Sequence, residues 1–251
     1  MIKVVLLGSG NVASHLALAL NAAKNVDLLQ RYSRNTQNNS FFDPSIPFTS
    51  RLNELQKADI YIIAINDDSI EAFSENLAQL SGLVVHTSGS VSMTALHGKL
   101  RRGVLYPVQT FSKGKAIDFK SVPLALETEN EKDFELLHKL AANISEQVIQ
   151  VNSNQREKLH LSAVFANNFS NYMFLTAKDI CDQNDLSFDT LKPIILETAQ
   201  KIMNTDPIIA QTGPARRNDT KVIEKQFMSL KGENKEIYRV LSEAIKKRYQ
   251  H

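Results

Sequence analysis

Six residues near the start constrain this chain most: Gly8-Ser9-Gly10-Asn11-Val12-Ala13, a GxGxxA turn between an apolar run and an amphipathic helix. Ile2–Leu7 reads as a buried strand, and Asn11–Ala23, with Leu16 and Leu20 on one side, reads as the helix after it. Each small residue has a physical task there. Gly8 permits the tight turn, Gly10 lets the backbone approach a pyrophosphate, and Ala13 allows close helix–strand packing. The backbone N–H groups of the helix start, Ser9 to Val12 among them, then face the phosphates, and the helix dipole favours negative charge at that place. With a second strand over Val26–Tyr32, the segment is a dinucleotide-binding βαβ unit.

The end of that second strand bears on which dinucleotide. NAD-binding turns usually offer Asp or Glu to the ribose hydroxyls. Here the sequence is Gln30-Arg31-Tyr32-Ser33-Arg34, and no acid follows until Asp43. Ser33 and Arg34 suit a 2′-phosphate, Arg34 through its planar fork of donors, so the expected cofactor is NADP rather than NAD. A solvated loop arginine is the plainer alternative.

The first 151 residues continue the alternation of strands and helices. Asp59–Ile65, Leu83–His86 and Gly103–Tyr106 read as strands. A capped helix begins at Asp67 or Asp68 and carries Ile70, Phe73, Leu77 and Leu80 at helical spacing. Val122–Leu126, a helix over 131–144 and Gln147–Val151 form a last β-α-β. The expected class is α/β, a doubly wound, mostly parallel Rossmann sheet covered on both faces. After Asn152 no strand-like run appears. Asn154 with Glu157 resembles a capping box, a long helix runs to about Cys181, and further helices span 191–203, 221–230 and 233–249. The expected domains are therefore 1–151, binding the dinucleotide, and 152–251, helical and serving substrate binding and dimerisation.

Composition excludes little. Hydrophobic residues are 43% and charged residues 22% of 251, ordinary for a folded protein, and 29 basic against 27 acidic residues leave a charge of only +2. That balance does not suggest a nucleic-acid partner. The opening apolar run ends at Gly8, too short for a signal peptide or a membrane span, so a cytoplasmic protein without membrane or metal is expected. The single cysteine, Cys181, reads as a small buried or half-buried residue.

Candidate site residues lie at the carboxyl ends of the later strands, where open α/β sheets bind ligands. Ile65 and Asn66 close one strand. His86-Thr87-Ser88-Gly89 follows the next, and its imidazole and hydroxyls would border a nicotinamide; a loop satisfying its own backbone is the alternative. On the first helix after Asn152, at 100° per residue, His160, Asn167 and Asn171 fall within about 20° of one line. His160 can donate or take a proton near neutral pH, and Asn167 and Ser88 can position substrate or nicotinamide. A solvated helix edge is the alternative. Arg217, in Thr212-Gly213-Pro214-Ala215-Arg216-Arg217-Asn218-Asp219, either meets an anionic group or lies on the surface, and Asn218 or Asp219 caps the next helix.

These stretches, with Tyr-Pro-Val-Gln-Thr-Phe at 106–111, resemble in order and type a family of bacterial Rossmann-like proteins assigned provisionally as oxidoreductases. That family has a C-terminal helical domain of unknown function. Its relatives are pyrroline-5-carboxylate reductase, the deazaflavin-dependent NADP oxidoreductases and the 6-phosphogluconate dehydrogenase-like enzymes. The resemblance implies an NADP-dependent oxidoreductase acting on a small imino, keto or hydroxy acid in the interdomain cleft, and a homodimer. Two departures bear on mechanism. The Lys and Asn four residues apart of the 6-phosphogluconate dehydrogenase-like enzymes are absent, since Lys158 is followed at that spacing by Ser162 and His160 by Val164. The family commonly places His before the proline at 107, where this chain has Tyr106. A non-catalytic NAD(P)-binding or redox-sensing protein is the rival reading.

Overall fold

Alternate residues of the first strand, β1 (Ile2–Leu7), belong to different cores: Val4 and Leu6 to one, Val5 and Leu7 to the other, and all four are fully buried. Side chains of a strand alternate between the two faces of a sheet, so this strand is covered on both sides. The computed structural model describes residues 1–34 and 45–249, which leaves Asp43 outside the described residues. They divide into two compact units, Met1–Asn168 and Phe169–His251.

The first unit is built on an eight-stranded sheet. After β1 come β2 (Val26–Tyr32), β3 (Phe48–Thr49), β4 (Ile60–Ile63), β5 (Leu83–His86), β6 (Arg101–Pro107), β7 (Leu124–Thr128) and β8 (Val148–Gln150). The spatial order is β3-β2-β1-β4-β5-β6-β7-β8. Every pairing is parallel except β6 with β7. This is the expected mostly parallel Rossmann sheet, and the strand order reverses between β1 and β4, opening a crevice at their carboxyl ends.

Helices α1 (Asn11–Ala22) and α3 (Glu131–Ile144) cover one face through Leu16, Leu20, Leu137 and Leu140. Helix α2 (Ile70–Glu75) and the segment through Leu96 and Leu100 cover the other. Two local expectations are corrected here. The helix after β4 is short: a 3₁₀ turn, Asp67–Ser69, precedes it, and tighter bonds from Asn76 N to Phe73 O (3.2 Å) and Leu77 N to Ser74 O (3.0 Å) end it. Leu77 is still buried, because the apolar spacing serves a tightened turn as well as an α-helix. Nor do Asp67 and Asp68 cap it, as neither Asn66 nor Ser69 marks a side-chain cap; the Asp67 carboxylate is engaged elsewhere, as described below.

Helix α4 (Ser153–Ala163) starts in a capping box two residues earlier than expected. Asn152 Oδ1 accepts from Gln155 N, Gln155 Oε1 accepts from Asn152 N, each at 2.9 Å. A π-helical turn, Val164–Phe169, follows. Its wider winding breaks the 100° phase used to align His160 with Asn167 and Asn171.

The second unit is helical: α5 (Ser170–Asp182), α6 (Lys192–Asn204), α7 (Pro207–Ala210), α8 (Thr220–Ser229) and α9 (Gly232–Tyr249). Asp219 caps α8 through Val222 N. Tyr249 Oη donates to Ile208 O at 2.7 Å, and the Arg216 guanidinium lies 4.4 Å from the Tyr249 ring centroid. Cys181 and Ala215 are the only buried residues among its described ones.

Candidate active site

Gly8 and Gly10 differ in what surrounds them. Gly8 has a φ of +143°, and a Cβ built on it would stand 2.0 Å from Ala64 O, so β1 can end beside β4 only on a bare backbone. A Cβ on Gly10 would meet nothing within 4 Å. No side chain caps α1 at Gly10, and its first turn carries no acid, so the free N–H groups of the helix start are left for an anion.

The turn borders a cavity of about 1440 Å³ at the carboxyl ends of the strands, larger than the ~300–1,000 Å³ of common small-ligand pockets. Gly8, Ser9, Gly10, Asn11, Val12, Ser33, Arg34, Ile65, Asn66, Thr87, His160 and Asn167 all line it, so the first unit brings these twelve expected site residues together. Ser33 Oγ donates to Ser9 Oγ at 2.9 Å, tying the end of β2 to the glycine turn. Asn11 Nδ2 donates to Phe111 O at 3.0 Å, which fixes the loop after β6 over the start of α1. These features fit a dinucleotide: an uncapped helix start for the pyrophosphate, with Arg34 exposed at the end of β2.

The structure sets His86 and Ser88 back from the cavity surface. His86 is fully buried, its Nδ1 accepts from Ser88 N at 3.2 Å, and burial together with the Arg156 charge brings its pKa down to about 4. Ser88 is 6% exposed; its Oγ donates to Asp67 Oδ2 at 2.7 Å and accepts from the N–H groups of Ser90 and Val91. Ser90 Oγ donates to the same Asp67 oxygen at 2.8 Å. The Ser88 and Ser90 hydroxyls thus hold Asp67, itself a cavity residue, rather than face the cavity, while Thr87 lines it.

Sequence reading missed the buried support of this site. Arg156 on α4 is completely buried; Nε donates to Glu127 Oε2 on β7 at 3.1 Å, and Nη1 donates to the carbonyls of Ser88 (3.1 Å) and Gly89 (2.9 Å). Ser153 Oγ donates to the other Glu127 oxygen. One turn beyond Arg156, His160 lies on the same helix face, against Gly89: a Cβ there would come within 2.6 Å of Nδ1. Tyr106 Oη lies 3.0 Å from the same Nδ1, with the two rings edge to face at 5.8 Å. The i, i+4 spacing of Arg156 and His160 was the available signal. Asn168, Gln109 and Thr110 join Asn167 in the cavity wall, while Arg217 is exposed on the second unit.

Among the described residues no helix is long and apolar enough to cross a membrane. Residues 122–245 match the model of a domain of unknown function, DUF2520. No curated protein matches at a significant level. A Bacteroides fragilis protein provisionally described as an NADP oxidoreductase is 35% identical, with 98% of both chains covered and a TM-score of 0.88. Pyrroline carboxylate reductase from Plasmodium falciparum, solved with NADP bound, is 13% identical over 99% of this chain and 98% of that one, at a TM-score of 0.64. The Streptococcus pyogenes 1-pyrroline-5-carboxylate reductase is 12% identical over 98% of each chain, at 0.67, and like the former shares the fold. The chain belongs to the family of the Bacteroides fragilis protein, bacterial Rossmann-like proteins provisionally assigned as oxidoreductases, with DUF2520 as their C-terminal domain of unknown function.

Proposed function

We propose that the protein is an NADP-dependent oxidoreductase acting on a small imino, keto or hydroxy acid. The observation that carries this reading is the contrast at the glycine turn: Gly8 is closed against Ala64, while Gly10 and the uncapped start of α1 open onto the cavity. A nicotinamide cofactor, when bound, would supply the hydride-transfer chemistry. The chain's own residues do the rest. Backbone N–H groups from Ser9 to Val12 hold the pyrophosphate, Ser33 and Arg34 the 2′-phosphate, and Ile65, Asn66 and Thr87 border the nicotinamide half. His86 supports that wall from behind as a neutral imidazole, and Ser88 supports it through Asp67. His160 gives or takes the proton at the substrate, and Asn167 orients it.

Residues 152–251 serve substrate binding and dimerisation in this reading. The second unit supports a homodimer, since Ile194, Met203, Ile209 and Met228 are each more than 60% exposed and only two of its described residues are buried. A unit of that size needs an apolar core, and a second copy covering these helices supplies one. A monomer by light scattering at micromolar concentration would remove the dimer.

The test of function is titration of the purified protein with NADPH and NADH. Wild type binds NADPH more tightly. Arg34→Ala loses roughly 10- to 100-fold for NADPH and nothing for NADH, the worth of a charge-assisted bond to phosphate. Equal or tighter binding of NADH by wild type rejects NADP as the cofactor, and turnover unchanged in His160→Ala across a panel of imino, keto and hydroxy acids rejects His160.

A further inference from the structure

We propose that Tyr106 is the positioning residue for His160: its hydroxyl donates to Nδ1, fixes the neutral imidazole as the Nε2–H tautomer, and so presents a proton donor to the cavity. The inference rests on the reading of His160 as the proton-transferring group. It assigns a part to the residue just before Pro107 at the end of β6.

The geometry leaves the two ring nitrogens in different situations. Nδ1 lies between the bare backbone of Gly89 and the Tyr106 hydroxyl at 3.0 Å. Nε2 has no hydrogen bond or ion pair among the described residues, and His160 lines the cavity. One nitrogen is tethered and the other is available.

Which atom carries the hydrogen follows from Tyr106. It is 8% exposed, on β6, and its Oη has no partner but His160 among the described residues. Burial pushes its pKa up; the Arg156 guanidinium opposes this and the Asp67 carboxylate adds to it, so the phenol keeps its proton. A buried hydroxyl that failed to donate would be left unsatisfied, which is costly to the fold. Nδ1 is the acceptor in reach, so the imidazole hydrogen sits on Nε2. As the Nε2 proton moves to an oxygen or nitrogen of the substrate, Nε2 takes another from solvent in the cavity, while the Tyr106 hydroxyl keeps its proton and its hydrogen bond to Nδ1. The Nε2–H bond and the solvent O–H bond that break are matched by a new substrate–H bond and a restored Nε2–H bond. Arg156, fixed by Glu127 and by the carbonyls of Ser88 and Gly89, holds the helix on which this alignment depends.

The tautomer can be read without nucleotide or substrate. In ¹⁵N-labelled full-length protein at alkaline pH, long-range ¹H–¹⁵N spectra report which imidazole nitrogen is protonated, and His160→Gln identifies the signal. Wild type gives the Nε2–H pattern. Tyr106→Phe, which keeps the ring and its packing, gives a mixture of tautomers with NADPH affinity unchanged. On any substrate that wild type turns over, Tyr106→Phe lowers kcat about tenfold with KM held, the worth of one hydrogen bond. An Nδ1–H pattern in wild type, or an unchanged spectrum in Tyr106→Phe, overturns the inference. Failure of the oxidoreductase reading shows separately, as wild type that binds neither NADPH nor NADH while its tautomer is still measured.

Discussion

Arg156 and Glu127 form an ion pair inside the first unit, Nε to Oε2 at 3.1 Å, with the arginine side chain wholly out of solvent. The pair joins α4 to β7, and the same guanidinium holds the Ser88 and Gly89 carbonyls that lie under His160. Breaking a buried pair leaves one charge without its partner, at ~3–5 kcal/mol, whereas replacing both by apolar groups is often neutral. Arg156→Met should therefore destabilise the protein by about that amount in urea unfolding, and Arg156→Met with Glu127→Leu should recover most of it. If the single variant unfolds like wild type, the pair does not hold α4.

Gly8 and Gly10 should respond in opposite ways to the same methyl group. At Gly8, alanine meets the Ala64 carbonyl and adopts a φ of +143°, so a loss of at least ~1–3 kcal/mol in folding stability is expected. At Gly10, with φ of −76° and open space, alanine should leave stability within about 1 kcal/mol of wild type. Its effect should fall on nucleotide: NADPH binding at least tenfold weaker, since the methyl group occupies the approach to the pyrophosphate. Calorimetry paired with fluorescence titration separates the two. Gly10→Ala that binds NADPH as wild type does would remove the phosphate from this turn.

The same pair shows what a sequence can convey. The unbroken apolar run of Val4–Leu7 and the four-residue spacing of Leu16 and Leu20 are local regularities, so β1, α1 and the turn between them were legible in advance. The cavity's other wall was not. Arg156 reads as a solvated helix residue until β7 places Glu127 beside it, and such long-range pairing has no local signature. His86 and Ser88 follow a strand end in the manner of ligand-binding residues, yet tertiary packing turned both inward, where they hold Asp67 and one another. The projection of His160 with Asn167 assumed uniform α winding, and the π turn at Val164–Phe169 changes that winding. What was legible rested on neighbours in sequence, and what was missed rested on neighbours in space.

His86 should make the protein acid-sensitive well above the carboxylate range. In the unfolded chain its imidazole binds a proton near pH 6.5; folded, it stays neutral down to about pH 4, because burial and the Arg156 charge both oppose the imidazolium. Between those values the unfolded state binds more protons, so stability falls as pH falls. A difference of that size corresponds to about 3 kcal/mol, fully present above pH 6.5 and lost by pH 4. Asp133, held below its ordinary range by Arg101 and Asn130 despite its burial, loses its contribution only at lower pH, through its own titration. Unfolding free energies measured from pH 7 to pH 4 should therefore drop steeply in wild type and much less in His86→Asn, whose amide oxygen can still accept from Ser88 N. Parallel curves for the two proteins would mean that His86 takes up its proton at the same pH in the folded and unfolded chains, and that its burial does not hold it neutral.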